Sequence, residues 1–155
     1  MYFPGEPYYN GNMVKGSKKG FEFIDHTGDI GIRMFGRDRE AVFEQAAKAL
    51  FHIITDLDTI HTEESRKILV ESDSWEPLLI AWLNEFIYLF DTQGMLFRDF
   101  QISFLDGRRI EALAGGEAYA RDRHPIKTTV KGATYHRLRI FQQGGIWVGE
   151  VILDI

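Results

Sequence analysis

The sequence predicts an α+β fold: a single domain in which two helices pack on a largely antiparallel sheet, in two layers. Apolar residues recur twice at helical spacing before residue 94, between extended segments. The last third of the chain is rich in strand-forming residues and contains the turn sequences Asp106-Gly107 and Gly144-Gly145. Two helices followed by an antiparallel meander are typical of the α+β class.

The periodicity places both helices. Residues 38–55 carry apolar side chains three and four positions apart, and Asp38 is suited to cap the first turn. The second helix begins after Ser74, accepts Pro77 in its first turn and ends at Gly94. Its apolar face is broad, which favours burial in the core over a partner-binding surface.

Most of the remainder is predicted to be extended. The predicted strands are 21–25, 29–35, 66–72, 96–105, 108–119, 128–141 and 146–154. Residues 1–20 combine Gly, Pro, Asn, Lys and Tyr without any period, so we expect a flexible N-terminal tail before a domain at 21–155.

Composition narrows the classes of function. The chain has 155 residues, enough for one domain with a substantial core, and its twelve Phe predict an aromatic-rich one. The absence of Cys excludes disulfides, thiolate catalysis and Cys-based zinc sites. No apolar run reaches the length of a membrane span and no signal peptide is evident, so we expect a cytoplasmic protein.

The charge balance disfavours direct binding of RNA. The net charge is −5, whereas a protein that holds nucleic acid by itself normally presents a basic face. One segment is locally basic, and on strands it would form either a basic stripe or an ordinary solvated face. It contains Arg121, Arg123, His124, Lys127, Lys131, His136, Arg137 and Arg139.

The densest group of polar side chains is Asp25-His26-Thr27-Gly28-Asp29, between two strand-like segments. Such a group indicates either a functional site or a polar turn in which Asp29 accepts hydrogen bonds from local amides. Adjacent residues of an extended segment point to opposite faces, so Asp25, His26 and Thr27 do not converge without a sharp turn. Catalysis by this segment alone is therefore weakly supported, and no phosphate loop or nucleophile elbow is present.

The C-terminus adds to this group if the first and last strands are neighbours. Asp154 and Ile155 follow directly on a strand, which places the terminal carboxylate close to the fold. Because Ca²⁺ and Mg²⁺ prefer carboxylate and carbonyl oxygens, Asp29, Asp154 and Ile155 are candidate metal ligands. His26 is a softer candidate ligand, and a hydrogen-bonded structural histidine is the alternative for it.

Over residues 21–155 these motifs resemble the archease family. The matching segments are Asp25-His26-Thr27-Gly28-Asp29-Ile30-Gly31, the helix carrying Phe43, Ala46 and Phe51, Leu78-Leu79-x-x-Trp82-Leu83-Asn84-Glu85, Gly116-Glu117, Lys131-Gly132-Ala133-Thr134-Tyr135-His136 and Asp154-Ile155. Gly28 replaces the family's usual Ala, which adds backbone freedom beside Asp29 and removes no ligand.

The resemblance implies a protein that activates an RtcB-type RNA ligase without performing the ligation itself. Activation would promote guanylylation of the ligase and repeated turnover, in tRNA splicing or RNA repair. The resemblance also implies a bound divalent metal, usually calcium, with Asp29, Asp154 and Ile155 as ligands. Asp25, His26 and Lys131 would line the same end of the molecule.

Two further functions stay open from the sequence. A chaperone that modulates the specificity of a tRNA methyltransferase, also suggested for archease-like proteins, would act independently of Asp29 and Asp154. A metal-dependent phosphoryl-transfer enzyme would turn over without a partner, and the missing phosphate loop disfavours it.

Overall fold

The computed structural model describes residues 19–26 and 28–155 and shows two helices and two antiparallel sheets. The strands are β1 (Gly20–His26), β2 (Asp29–Gly36), β3 (Glu64–Glu71), β4 (Met95–Leu105), β5 (Arg109–Ala118), β6 (Gly132–Gln143) and β7 (Ile146–Asp154). The helices are α1 (Arg39–Ile54) and α2 (Trp75–Gln93), and a 3₁₀ turn follows α1 at Leu57–Thr59. The predicted α+β class with two helices is confirmed.

The strands divide between two sheets, where the sequence had indicated one. Sheet A has the order β1-β2-β7-β6 and sheet B the order β3-β5-β4. The predicted meander stops after β5, because residues 119–131 form a connection bound to the end of α1. Lys127 N–H donates to Ile54 O (2.8 Å), and Thr55 Oγ1 donates to Pro125 O (2.7 Å). Residues 128–131, predicted as strand, lie in this connection.

Both predicted hairpins are confirmed. Asp106 Oδ1 accepts from the amides of Arg108 (2.8 Å) and Arg109 (2.9 Å), which closes the β4–β5 turn. Gly144 and Gly145 join β6 to β7 with φ of 58° and 83°. Two successive positive φ angles match the right-handed twist of the strands that they connect, and glycine adopts them at little cost.

The helix boundaries follow the predicted capping residues with one exception. Asp38 Oδ1 accepts from Ala41 N (2.8 Å) at the start of α1. Gly94 ends α2 with φ 67°, and its amide donates to Phe90 O (2.9 Å). Ser74 occupies the N-cap position of α2, but its side chain makes no capping hydrogen bond.

One core joins the inner faces of both sheets to the helices, since each helix contacts strands of both. It is aromatic-rich, as predicted. Its large buried rings include Phe21, Phe43, Phe51, Trp82, Phe86, Phe97 and Phe100. Trp82 also donates Nε1–H to Phe43 O (2.9 Å), so it links α2 to α1. The broad face of α2 is therefore core and not a partner-binding surface.

β1 begins at Gly20, and residues 1–18 of the predicted tail lie outside the described residues. The division into a tail and a domain at 21–155 therefore stays a prediction. None of the helices that the structure describes is long and apolar enough to cross a membrane.

Candidate functional site

Asp29 and Asp154 lie directly opposite each other on neighbouring strands of sheet A. Asp29 is the first residue of β2, Asp154 is the last residue of β7, and they form a pair in the antiparallel register. Directly opposed residues project from the same face of a sheet, with their Cβ atoms about 4.5–5.5 Å apart. Asp29 is partly buried and Asp154 is exposed. The strand pairing that the sequence hypothesis required is therefore present.

The face that carries this pair is the outer one, away from the helices. Ile32 and Met34 of β2 are buried in the core, so the alternating residues Asp29, Gly31 and Arg33 face the other way. The two carboxylates are thus presented at the end of the sheet, where a ligand or partner protein can reach them.

Lys131 and Ile155 lie at the same end of sheet A. The amide of Lys131 donates to Asp154 O (2.8 Å), and Gly132 pairs with Asp154 in the β6–β7 register. The Lys131 side chain is exposed, whereas Ile155 is partly buried against the core. α2 supports this segment, because Asn84 Oδ1 accepts from Ala133 N (2.9 Å).

Asp25 and His26 reach this region through their backbone. In the β1–β2 register Asp25 pairs with Ile30 and His26 pairs with Asp29. The side chains of these two residues and the whole of Thr27 lie outside the described part of the chain. The backbone register therefore places two of the predicted residues beside Asp29, and their side-chain roles stay predictions.

The donor set at this end suits a hard cation. Two carboxylates on one face provide the oxygen ligands that Ca²⁺ and Mg²⁺ prefer. Among the side chains that the structure describes, no third His, Asp or Glu joins Asp29 and Asp154 in a cluster. A further ligand at this end would come from Ile155 or from other backbone carbonyls. Metal binding itself stays a prediction.

Further along the same face, a charged network connects all four strands of sheet A. Arg33 Nη1 donates to Glu22 (2.6 Å), and Glu150 accepts from both Arg33 Nε (2.5 Å) and Arg139 Nε (2.6 Å). Burial would raise the pKa of Glu150, but the bonds from Arg139 and Arg33 outweigh it and lower that pKa. The network joins the strands of this face, and its two arginines balance its two carboxylates in charge.

Of the two alternatives for the basic segment, the continuous stripe on strands does not form. Residues 121–131 are not in a strand, and His124 is fully buried. Lys127 pairs with Asp56 (3.1 Å), and Arg139 pairs with Glu150. Opposite charges therefore neutralise much of the basic segment, which is the outcome that a solvated face would give.

Glu117, which is only 5% exposed, lies in an environment that the sequence did not predict. Glu117 Oε2 accepts from His61 N (2.8 Å) and lies 2.8 Å from His124 Nε2. Because His124 Nδ1 accepts from Ala120 N–H (2.8 Å), the imidazole proton is on Nε2 and is donated to Glu117. Burial opposes ionisation, but these bonds and the charge of Arg123 lower the pKa of Glu117. The sequence signal was a Glu that directly follows the apolar and glycine-rich run Ala112-Leu113-Ala114-Gly115-Gly116.

Comparison with known proteins decides the family. The model of the Archease protein family matches residues 21–155. The chain belongs to the archease family. Protein archease from Methanosarcina mazei is 37% identical over 141 residues, covering 88% of this chain and 97% of that protein. Protein archease from Methanopyrus kandleri is 39% identical over 138 residues, covering 87% and 99%.

Two solved structures agree with the archease fold. The solution structure of Methanobacterium thermoautotrophicum protein 1598 gives a TM-score of 0.76 at 35% identity, covering 87% of this chain and 98% of that one. The crystal structure of a Thermotoga maritima archease, described as a possible chaperone, gives a TM-score of 0.60 at 20% identity. It covers 85% of this chain and 94% of that one. The second likeness concerns the fold alone.

Proposed function

We propose that this archease is a metal-binding protein cofactor that activates an RtcB-type RNA ligase in tRNA splicing or RNA repair. The observation that carries the proposal is the direct pairing of Asp29 with Asp154 at one end of sheet A. Membership of the archease family supports an accessory role of this type. The acidic net charge of −5 suits a protein partner better than RNA.

In this proposal Asp29, Asp154 and Ile155 hold a divalent cation, calcium being the first choice. When bound, the cation supplies positive charge where the docked ligase handles guanylate and phosphate groups. The chain's own residues orient that centre, since the Lys131 amide holds the Asp154 carbonyl at 2.8 Å. The exposed Lys131 ammonium is available to a phosphate or to a carboxylate of the ligase. Asp25 and His26 would flank the docking end.

RNA ligation by a cognate RtcB-type ligase tests the proposal, with this protein present in substoichiometric amount. We expect wild type to support many turnovers and Asp29→Ala to reduce the stimulation by about tenfold or more, as loss of a metal-site residue does. Asp91→Ala is the matched control, because Asp91 is an exposed carboxylate of α2 outside the site. It should stimulate like wild type.

Three outcomes would count against the proposal. Full stimulation by Asp29→Ala would exclude the acidic pair as the site of activation. No stimulation by wild type would exclude the ligase as partner. Equal loss in Asp29→Ala and Asp91→Ala, with both variants folded by circular dichroism, would show that the effect is not specific to the acidic pair.

A chaperone acting on a tRNA methyltransferase is the second candidate. Leu69 (56% exposed) and Leu113 (48% exposed) are diagonal neighbours on the outer face of sheet B, where they offer an apolar surface to a client. The Thermotoga maritima relative is described as a possible chaperone. In this role, suppression of methyltransferase aggregation should survive Asp29→Ala and decrease in Leu69→Ser.

A further inference from the structure

One imidazole and two carboxylates meet where β5 ends, in a cluster that the proposed function does not use. The candidate ligand atoms of His61, Glu63 and Glu117 all lie within 4.8 Å of one another. His61 and Glu63 belong to the segment between the 3₁₀ turn and β3, and Glu117 belongs to β5. His61 Nδ1 lies 3.9 Å from Glu63 Oε1, so these two side chains are on the same side of their segment.

The Glu117 carboxylate is held in place before any ligand binds. Its side chain is 7% exposed, and Oε2 accepts hydrogen bonds from His61 N–H and from the buried His124 Nε2–H. These bonds fix the orientation of the carboxylate and leave Oε1 free of hydrogen bonds to the main chain. Outer hydrogen bonds that orient a carboxylate in this way are a usual feature of metal sites.

His61 and Glu63 are the adjustable members of the cluster. Their side chains are 53% and 70% exposed, with His61 Nδ1 at 3.9 Å from Glu63 Oε1. Both line a surface cavity of about 460 Å³ together with Ile60, Thr62, Arg98 and Asp99. Small rotations of two exposed side chains therefore bring three ligand atoms together, and the cavity has room for water to complete the coordination.

We propose that His61, Glu63 and Glu117 bind a divalent transition cation of the zinc class, at a site separate from the Asp29–Asp154 pair. An imidazole nitrogen with carboxylate oxygens suits zinc-class ions, whereas calcium and magnesium select oxygen ligands alone. Three protein ligands leave an open position for water or for a group on a partner. The different chemistry of the two donor sets predicts that they select different ions.

Arg123 competes for the same carboxylate. Its Nη2 lies 3.5 Å from Glu117 Oε1, and its side chain is 46% exposed, so it can swing into solvent when a cation arrives. Its positive charge opposes cation binding while it stays close. We therefore expect Arg123→Ala to bind zinc more tightly than wild type, a result that a purely structural Glu117–Arg123 pair would not give.

Calorimetric titration of zinc into the full chain, without a histidine tag, tests the site. Calcium in large excess occupies sites made of oxygen ligands alone during the titration, so that zinc does not fill them. We expect one zinc ion per chain, with affinity reduced about tenfold or more in His61→Ala and in Glu63→Gln. Because both residues are exposed, neither change should impair folding, and circular dichroism checks this.

Matched controls separate the cluster from chance binding by surface side chains. His136→Ala removes an exposed histidine of β6, and Asp29→Ala removes the proposed hard-cation ligand; both should bind zinc like wild type. The proposal is overturned if wild type binds no zinc, if His61→Ala binds as well as wild type, or if His136→Ala loses as much affinity. Ligase stimulation in the same Asp29→Ala variant reports on the proposed function independently.

Discussion

Glu117 is buried and His52 is partly buried, and the pKa values of these two side chains are shifted for different physical reasons. Glu117 has a hydrogen bond from a main-chain amide and one from His124, so its charged form is stabilised and its pKa is lowered. His52 stacks on Phe23 with ring centroids 6.2 Å apart, and its buried Nδ1 has no hydrogen-bond partner. Burial, with a smaller effect of Lys127, lowers the pKa of His52, because nothing nearby compensates the desolvated charge sufficiently.

The lowered pKa values of His52 and Glu117 set how the stability of the fold depends on pH. The unfolded chain takes up a proton at His52 before the folded chain does, so stability decreases as pH falls below the ordinary histidine range. Glu117 contributes in the same direction at lower pH. Its stabilisation is complete above the ordinary carboxyl range and is lost as pH falls through the lowered pKa of the folded state.

We expect His52→Phe to reduce the loss of stability between about pH 7.5 and about pH 5.5, the range in which an unperturbed histidine titrates. Phenylalanine keeps the stacking on Phe23 and carries no proton. Urea unfolding at both pH values gives the two free energies of unfolding. His136→Ala, at an exposed position, should keep the wild-type difference. The same decrease in His52→Phe as in wild type would contradict this account.

The pairing of β4 with β5 depends on a close backbone contact that only glycine permits. A Cβ on Gly116 of β5 would lie 1.9 Å from the carbonyl oxygen of Leu96 in β4. No side-chain rotation relieves a contact with backbone, so the β4–β5 ladder would have to move. A Cβ on the adjacent Gly115 would meet only side-chain atoms of Thr62 and Asp99, at 3.4–3.7 Å, which are ordinary contacts.

Gly116→Ala should lower the free energy of unfolding by about 3 kcal/mol, the upper part of the range for overpacking. Gly115→Ala is the matched control and should change it by less than about 1 kcal/mol. Chemical denaturation of both variants measures the difference. Similar small effects at the two positions would show that β4 adjusts without loss of pairing.

At the scale of the whole molecule, one core holds both sheets together. Phe86 of α2 contacts the rings of Trp82, Phe51, Phe97 and Phe100, at centroid distances from 4.6 to 5.8 Å. These rings come from both helices and from β4 of sheet B, while sheet A contributes Phe21 and Met34 to the same core. Neither sheet has a core of its own, so we expect them to unfold together.

Phe86→Ala should therefore lower stability by about 3–5 kcal/mol while unfolding stays a single transition. Tryptophan fluorescence and far-UV circular dichroism should give coincident curves for wild type and variant. Tyr88→Ala, which changes a residue of α2 that is 58% exposed, should differ from wild type by no more than about 0.5 kcal/mol. Separate transitions for the two probes would contradict the single core.

The sequence by itself determined the elements that depend on local rules. Helical periodicity, the Asp38 cap, the Gly94 stop and the two hairpin turns all arise from residues close together in the chain, and all are confirmed. It also singled out Asp29, Asp154 and Lys131 as a group, through a resemblance and an assumed strand pairing. The β2–β7 register supplies that pairing.

Tertiary structure alone decided how the strands divide between two sheets. It also decided that residues 121–131 of the basic segment form a connection and not a strand. Both depend on contacts between residues far apart in sequence, such as Pro125 with Thr55 and His124 with its buried carboxylate partner. Period-two alternation predicts that a strand has an inner face, but it does not say which sheet that strand joins. The cluster of His61, Glu63 and Glu117 was hidden for the same reason, because a loop and the end of a strand meet there only in the folded chain.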